Sequence, residues 1–283
     1  MPSDKRQRQD EGRLLRLEEQ RVTTQKSQRK RQARSLGLLI GGLLVVAAAI
    51  AILSADDADD EVSTDTTAVT EPGDTTTTVS TPEVVLPGEG ASITGETPCP
   101  PADGTAERTT GFELPPPMCI DPAKAYTATL TTTEGDIVIE LDAANAPQTA
   151  NNFVVLSRYH FYDNVPFHRI VAGFVNQAGD PVGPTPGTGG PGYAIPDELP
   201  ADPLTAYPAG AVAMANSGPA SGGSQFFLVI GDANGALSGA GSYSVFGKII
   251  EGQDISVAIN ALAGPGNQPT RPVAITSVTI TET

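Results

Sequence analysis

Residues 36 to 53 are all Leu, Ile, Val, Ala or Gly, eighteen in succession without a charge. This run constrains the architecture more than any other stretch, because a water-soluble globule cannot readily hide so long an unbroken apolar segment. As a helix it would reach about 27 Å at about 1.5 Å per residue, close to the hydrocarbon thickness of a bilayer. The alternative is a cleaved signal peptide, whose apolar core is about 7 to 15 residues long. Ser54-Ala55 is a poor cleavage site and no Cys directly follows the run, so a retained transmembrane signal-anchor helix over 36–54 is expected.

Charge divides on either side of that run. Residues 1–35 hold 11 Lys and Arg against five Asp and Glu, whereas the remaining chain holds six basic and 28 acidic residues. Positive segments stay on the cytoplasmic side. The expected topology is therefore single-pass in the cell membrane, with a basic cytoplasmic segment (1–35) and everything after the anchor extracytoplasmic. The basic segment could touch anionic lipid or nucleic acid, but a flank that only sets topology accounts for it, and no nucleic-acid partner is expected.

Residues 55–97 are dominated by Thr, Asp, Glu, Val, Pro and Gly and lack any aromatic residue. Such a segment buries too little surface to offset chain entropy, so a disordered linker is expected. About 40 such residues have a root-mean-square reach of roughly 35 Å, which would hold the folded part off the membrane. Cys99 and Cys119 are the only cysteines. In an oxidising compartment they would pair and close an N-terminal extension over 98–123. No Cys or His stands at metal-ligand spacing from either, so no metal site is expected.

From residue 124 to 283 the pattern becomes short alternating strands separated by Gly and Pro turns. Tyr126–Thr132, a turn at Glu134-Gly135 and 136–141 read as a hairpin with Ile137, Ile139 and Leu141 on one face. Pro147 suits the first turn of a helix whose apolar side is Ala150, Phe153, Val154 and Leu156. A second helix is signalled by Asp254 as N-cap, by Ile255, Ala258, Ile259 and Leu262 at helical spacing, and by Gly264 beyond its end. The segment 273–281 reads as a closing strand. Many short strands with two helices point to a mainly β barrel.

Three segments carry the chemistry. They are Phe167-His168-Arg169-Ile170 running on to Gly173-Phe174-Val175-Asn176-Gln177-Ala178-Gly179-Asp180, then Met214-Ala215-Asn216-Ser217-Gly218-Pro219, then Gly223-Ser224-Gln225-Phe226-Phe227. They supply a permanently charged guanidinium, amides and apolar rings, which suit gripping a proline better than forming a covalent bond. In order and spacing these motifs resemble the cyclophilin family of peptidyl-prolyl cis-trans isomerases, in a membrane-anchored, actinobacterial-like bacterial form.

The resemblance implies a closed eight-stranded antiparallel barrel capped by two α-helices. It also implies catalysis by Arg169, an apolar pocket of Phe174, Val175, Phe227 and Leu237, and substrate hydrogen bonds from Gln177 and Asn216. Ala215 and Gln225 would line the adjoining groove and Tyr243 its aromatic wall. No cofactor is implied. The expected partners are proline-containing unfolded or exported polypeptides, met by a monomeric catalytic domain.

The physical logic agrees. An X-Pro bond turns slowly because of its partial double-bond character, with a barrier of about 18–20 kcal/mol. Twisting returns electron density to the imide nitrogen, and a fixed guanidinium donating there favours the twisted state over either planar one. Taken singly, Arg169 could pair with a carboxylate, and Gln177 and Asn216 could serve turns. Phe226 and Phe227 are successive strand residues, so one belongs to the core and the other, by the resemblance Phe227, to the groove.

Departures from the family pattern are local. Ala236 stands where a tryptophan is frequent, the loop 231–242 is longer, Tyr243 replaces a frequent histidine and Val175 a frequent methionine. Ala236 and the longer loop put cyclosporin-like binding in question, and the changes as a set should alter affinity and preference more than reaction type. Gly187-Thr188-Gly189-Gly190-Pro191-Gly192 has dinucleotide-fingerprint spacing, but Pro191 and Pro196 oppose the helix that motif must open. Ser224 lacks a nucleophile-elbow context, and His160 and His168 are the only histidines. A non-catalytic alternative is a proline-peptide binding or scaffold module in which isomerisation is incidental.

Overall fold

The structure, a computed structural model, describes residues 87–181, 185–240 and 243–283. The basic segment, the apolar run and most of the linker lie outside the described residues. Among the described residues no helix is long and apolar enough to cross a membrane.

Order begins earlier than the composition predicts. Strands β1 (Ala91–Ile93) and β2 (Thr109–Phe112) pair in parallel, so the last part of the expected disordered linker is folded. The reason is tertiary: Thr97 is buried and its Oγ1 donates to Leu114 O at 2.6 Å. The Cys99–Cys119 disulfide closes the segment between these ties.

The main hairpin follows the alternation in the sequence. In β3 (Tyr126–Thr132), Tyr126, Ala128 and Leu130 point inward; in β4 (Gly135–Leu141), Ile137, Ile139 and Leu141 do so. Their register pairs Tyr126 with Leu141 and Thr132 with Gly135. Helix α1 (Pro147–Arg158) lies on this core, and its Phe153 meets Tyr162, Phe226 and Phe246 at ring-centroid distances of 5.0–5.3 Å. Its N-terminus has no cap of its own; Glu198 instead accepts bonds from Gln148 N and Thr149 N at 2.9 and 2.7 Å. A carboxylate there also complements the helix dipole.

Seven further strands follow: β5 (Val165–Pro166), β6 (Arg169–Val171), β7 (Val175–Ala178), β8 (Ala211–Met214), β9 (Phe226–Val229), β10 (Val245–Glu251) and β11 (Ala274–Glu282). With β3 and β4 they form one nine-stranded antiparallel sheet in the order β5-β11-β3-β4-β10-β8-β9-β7-β6. The expected closed eight-stranded barrel is thus corrected to an open one, since edge strands β5 and β6 do not pair. β5 has two residues and ends on Pro166, which has no N–H to donate, and only Phe167 and His168 separate it from β6.

Among the described residues there are three α-helices where two are expected in this domain. Helix α2 (Asn234–Ala240) forms inside the Gly-, Ala- and Ser-rich loop, and α3 (Gln253–Asn260) follows β10. The N-cap of α3 is Gly252, not Asp254. Gly252 has φ +78, and a Cβ there would collide with Asp136 O. The buried face of α3 also differs: Ala258 is exposed, while Ser256 and Asn260 are buried. Those polar side chains are matched, because Asn176 Nδ2 donates to Ser256 Oγ at 3.4 Å as well as to the Ser256 backbone O at 2.8 Å, and Asn260 Nδ2 donates to Asn176 Oδ1 at 2.8 Å.

Strands β7, β8 and β9 are buried on both faces. Period-two alternation sends Val212, Met214, Phe226 and Leu228 into the main core. The neighbouring residues Val175, Ala211, Ala213, Phe227 and Val229 join Tyr207, Ala233 and Leu237 in a second, smaller cluster. Phe226 is therefore core and Phe227 faces the other way, as the successive-residue argument expects.

Candidate active site

The second apolar cluster forms the floor of a concavity, and strand register places the polar groups at its rim. Arg169 on β6 pairs directly with Gln177 on β7, and Gln177 pairs with Phe227 on β9. Directly opposed residues share a face, so cation, amide and ring stand in one row. Val175 lies two residues before Gln177, next to Phe174. Leu237 comes from α2, Tyr243 from the start of the next segment, and Ala215 and Asn216 from the end of β8.

These residues surround one notch of about 340 Å³. Nine of the ten expected site residues line it, joined by Ala236 on the rim. Gln225 lies instead in an adjoining concavity of about 670 Å³, to which Gln177, Ala215 and Asn216 also contribute. The two compartments therefore form one continuous groove. A wider hollow of about 750 Å³ elsewhere, near Leu141, Ala211 and the Lys248–Glu140 ion pair, contains none of the expected site residues.

Arg169 is exposed at the rim, and its Nη1 donates to Gln177 Oε1 at 3.3 Å. Among the described residues no carboxylate forms an ion pair with it. The amide donors behind it run in one direction. Gln177 Nε2 donates to Gln225 Oε1 at 3.0 Å, and Gln225 Nε2 donates to Gly189 O at 2.8 Å. Because Gly189 O can only accept, the orientation of both amides is fixed, and Gln177 must present its carbonyl to the guanidinium.

The apolar wall is held just as firmly. Phe227 meets Tyr243 edge-on at 5.3 Å. Tyr207 supports Tyr243 from below, its hydroxyl donating to Tyr243 O at 3.1 Å and accepting from Tyr243 N at 3.2 Å. Tyr207 carries no sequence signal for this role, since it stands in an irregular segment. Asn260, also unsignalled, ties the turn before Phe174 by accepting from Gly173 N at 2.8 Å and donating to Val171 O at 3.0 Å.

No nucleophile-base pair lines the notch among the described residues; its only ionisable side chains are Arg169 and Tyr243. His168 packs beside the site with neither ring nitrogen hydrogen-bonded among the described residues. Burial holds its pKa below the ordinary 6.5, with Asp180 opposing and Arg169 adding to the shift. It is thus a neutral packing group. Ser224 donates to Gly179 O at 2.7 Å, buried within the fold. The glycine-rich 187–192 segment opens no helix; Gly187 N and Gly189 N donate to Asp180 Oδ2 at 2.6 and 3.1 Å.

A guanidinium facing an apolar notch, on an antiparallel half-barrel, is the arrangement of a prolyl isomerase. Residues 127–280 match the cyclophilin type peptidyl-prolyl cis-trans isomerase family. The chain belongs to that family and is a peptidyl-prolyl cis-trans isomerase.

It is similar to the peptidyl-prolyl cis-trans isomerase of Helicobacter pylori, with 43% identity over 135 residues, covering 48% of this chain and 79% of that protein. It is also similar to peptidyl-prolyl cis-trans isomerase A of Mycobacterium tuberculosis, with 40% identity over 177 residues, covering 56% of this chain and 94% of that one. Among solved structures, the cyclophilin type isomerase of Cryptosporidium parvum superposes with a TM-score of 0.50 at 29% identity, covering 56% of this chain and 98% of that one. That protein has also been crystallised in the presence of the dipeptide Ala-Pro.

Proposed function

We propose that this isomerase acts on X-Pro bonds of exported and cell-envelope polypeptides, outside the membrane to which residues 36–54 anchor it. The observation that carries the mechanism is the row Arg169, Gln177, Phe227: a cation held by an amide at the lip of an apolar notch. The proline ring enters the notch against Phe174, Val175, Phe227 and Leu237, where no polar group competes for the space. Asn216 and the outer face of Gln177 hold the peptide backbone, and Ala215 and Gln225 border the flanking residues.

As the imide twists, its nitrogen regains a lone pair and becomes a better acceptor. Arg169 donates to that nitrogen, so its bond strengthens in the twisted state and lowers the barrier without any covalent step. The Ala-Pro dipeptide used with the Cryptosporidium parvum relative supports a proline-sized occupant. The extracytoplasmic location rests on the charge asymmetry about the apolar run and is supported by the Cys99–Cys119 disulfide.

The test is cis-trans exchange of an X-Pro peptide with the full chain in lipid nanodiscs, read by exchange NMR, alongside protease accessibility in intact cells. Accelerated exchange and cleavage of the 87–283 part from outside are expected. Peptide that binds and exchanges at its uncatalysed rate would instead make the chain a binding module. Protection from external protease would overturn the topology.

A further inference from the structure

The N-terminal extension is built against the substrate groove rather than placed apart from it. Phe112 N donates to Pro191 O at 2.8 Å, and the Phe112 ring meets Tyr193 edge-on at 6.2 Å. Between them Gly192 has φ +105, and a Cβ there would collide with Phe112 O, so the two backbones touch. Pro191, Gly192 and Tyr193 all line the second compartment of the groove.

That wall continues to the catalytic row. Tyr193 Oη donates to Asn152 Oδ1 at 2.6 Å, and Asn152 Nδ2 donates to Gly223 O at 2.7 Å, just before Gln225. Gly189 O, two residues before Pro191, accepts the Gln225 amide that orients Gln177 and so Arg169. From Phe112 to the guanidinium there is an unbroken succession of packed and hydrogen-bonded groups.

The extension is itself fastened to the barrel at several points. Asn151 Oδ1 accepts from Cys119 N at 2.7 Å and from Ile120 N at 3.2 Å, while Asn151 Nδ2 donates to Pro117 O at 2.9 Å. Tyr159 Oη donates to Pro98 O at 2.9 Å, and Thr109 N donates to Tyr159 O at 2.9 Å. The disulfide joins the two ends of the intervening loop. β2 is thereby held at a fixed height behind the compartment wall.

We infer that the disulfide-closed extension is a specificity element: through Phe112 it fixes the wall at Pro191–Tyr193 and so decides which residues flanking the proline the enzyme accepts. Phe112 is a positioning residue, since it lies behind the wall. Among the described residues the compartment it shapes contains amides, hydroxyls and glycine backbone and no charged side chain, so it selects uncharged flanking residues in an extended peptide. This inference rests on the groove being the substrate site.

The experiment compares two peptides on the full-length protein. One is a capped Ala-Pro dipeptide that reaches only the notch; the other is an eight-residue peptide of Ala, Ser and Gly around one Ala-Pro bond. For each, kcat/KM and Kd are measured with wild type, Phe112→Ala and Phe112→Leu. The leucine variant keeps an apolar group at the site if the alanine variant fails to fold.

The ratio of kcat/KM for the long peptide over the short one should fall at least fivefold in the variants, mostly through KM. A ratio within twofold of wild type in a variant with a native thermal transition overturns the inference, as does an equal fall for both peptides. If wild type accelerates neither peptide, the catalytic reading fails. The ratio of the two Kd values then decides the wall on its own, by the same fivefold and twofold limits.

Discussion

Arg169 and Gln177 are direct cross-strand neighbours on β6 and β7, and the guanidinium Nη1 donates to the amide oxygen at 3.3 Å. Among the described residues this pairing uses one of the five donors of the cation, and the proposed mechanism assigns the others to substrate. It also explains why a neutral amide is suitable at 177, since a carboxylate there would form an ion pair with the guanidinium.

Gln177→Ala should therefore lower kcat/KM by about fivefold to tenfold, the value of one orienting hydrogen bond. The loss should be shared between kcat and KM, because Gln177 both orients Arg169 and lines the notch. Steady-state exchange kinetics with a short X-Pro peptide measure it.

Asn260→Ala removes an acceptor for Gly173 N and donors for Val171 O and Asn176 Oδ1, of which only the bond to Asn176 is fully buried. A loss of about 1–3 kcal/mol in unfolding free energy is expected, the cost of one stranded buried group. Denaturant titration checks this. Asn176→Ala should behave alike, and the double variant should lose less than the sum of the two.

The disulfide closes a sequence separation of 20 residues. In the chain-entropy account such a loop is worth about 3 kcal/mol. The variant Cys99→Ser/Cys119→Ser should unfold at correspondingly lower denaturant. A thiol assay on the native protein should read no free thiol.

His168 gives stability a pH dependence of definite sign. Its folded pKa lies below 6.5 because of burial, opposed by Asp180 and reinforced by Arg169. Below 6.5 the unfolded chain takes up a proton that the folded chain refuses, so stability falls as pH drops towards the folded pKa and then levels off. Asp163 acts oppositely, its pKa raised from 3.8 by burial against the pull of His160 and Arg108, so its share falls as pH rises above 3.8. Comparing thermal unfolding of wild type and His168→Phe between pH 5 and 8 should show the slope just below 6.5 disappear in the variant.

The hairpin Tyr126–Leu141 was legible because its period of two alternates cleanly between core and surface. Most of the notch was legible because seven of its residues fall in three short motifs that strand register brings together, whereas Leu237 and Tyr243 lie beyond them. What escaped the sequence depends on partners distant along the chain. Helix α2 forms in Gly- and Ala-rich sequence because Asn234 Oδ1 accepts from Tyr207 N at 2.7 Å and Leu237 is buried. Ser256 and Asn260 look like surface residues until Asn176 is placed beneath them.

The same holds for the extension. Residues 91–97 have the composition of a linker, and only their contacts with β2 and with Leu114 order them. The open seam between β5 and β6 likewise follows from Pro166 and the brevity of β5, which no barrel-level pattern expresses.

The most direct measurement is the rate of cis-trans exchange of one X-Pro peptide, bound to saturation, with wild type, Arg169→Lys and Arg169→Ala. Exposed Arg169 supports no core, so all three should share one thermal transition and bind the peptide within a few-fold. The account predicts that exchange falls by about 10²-fold in the alanine variant, with lysine in between because it keeps the charge but not the fork. Wild-type exchange rates in Arg169→Ala would contradict the assignment of the guanidinium to the twisted imide.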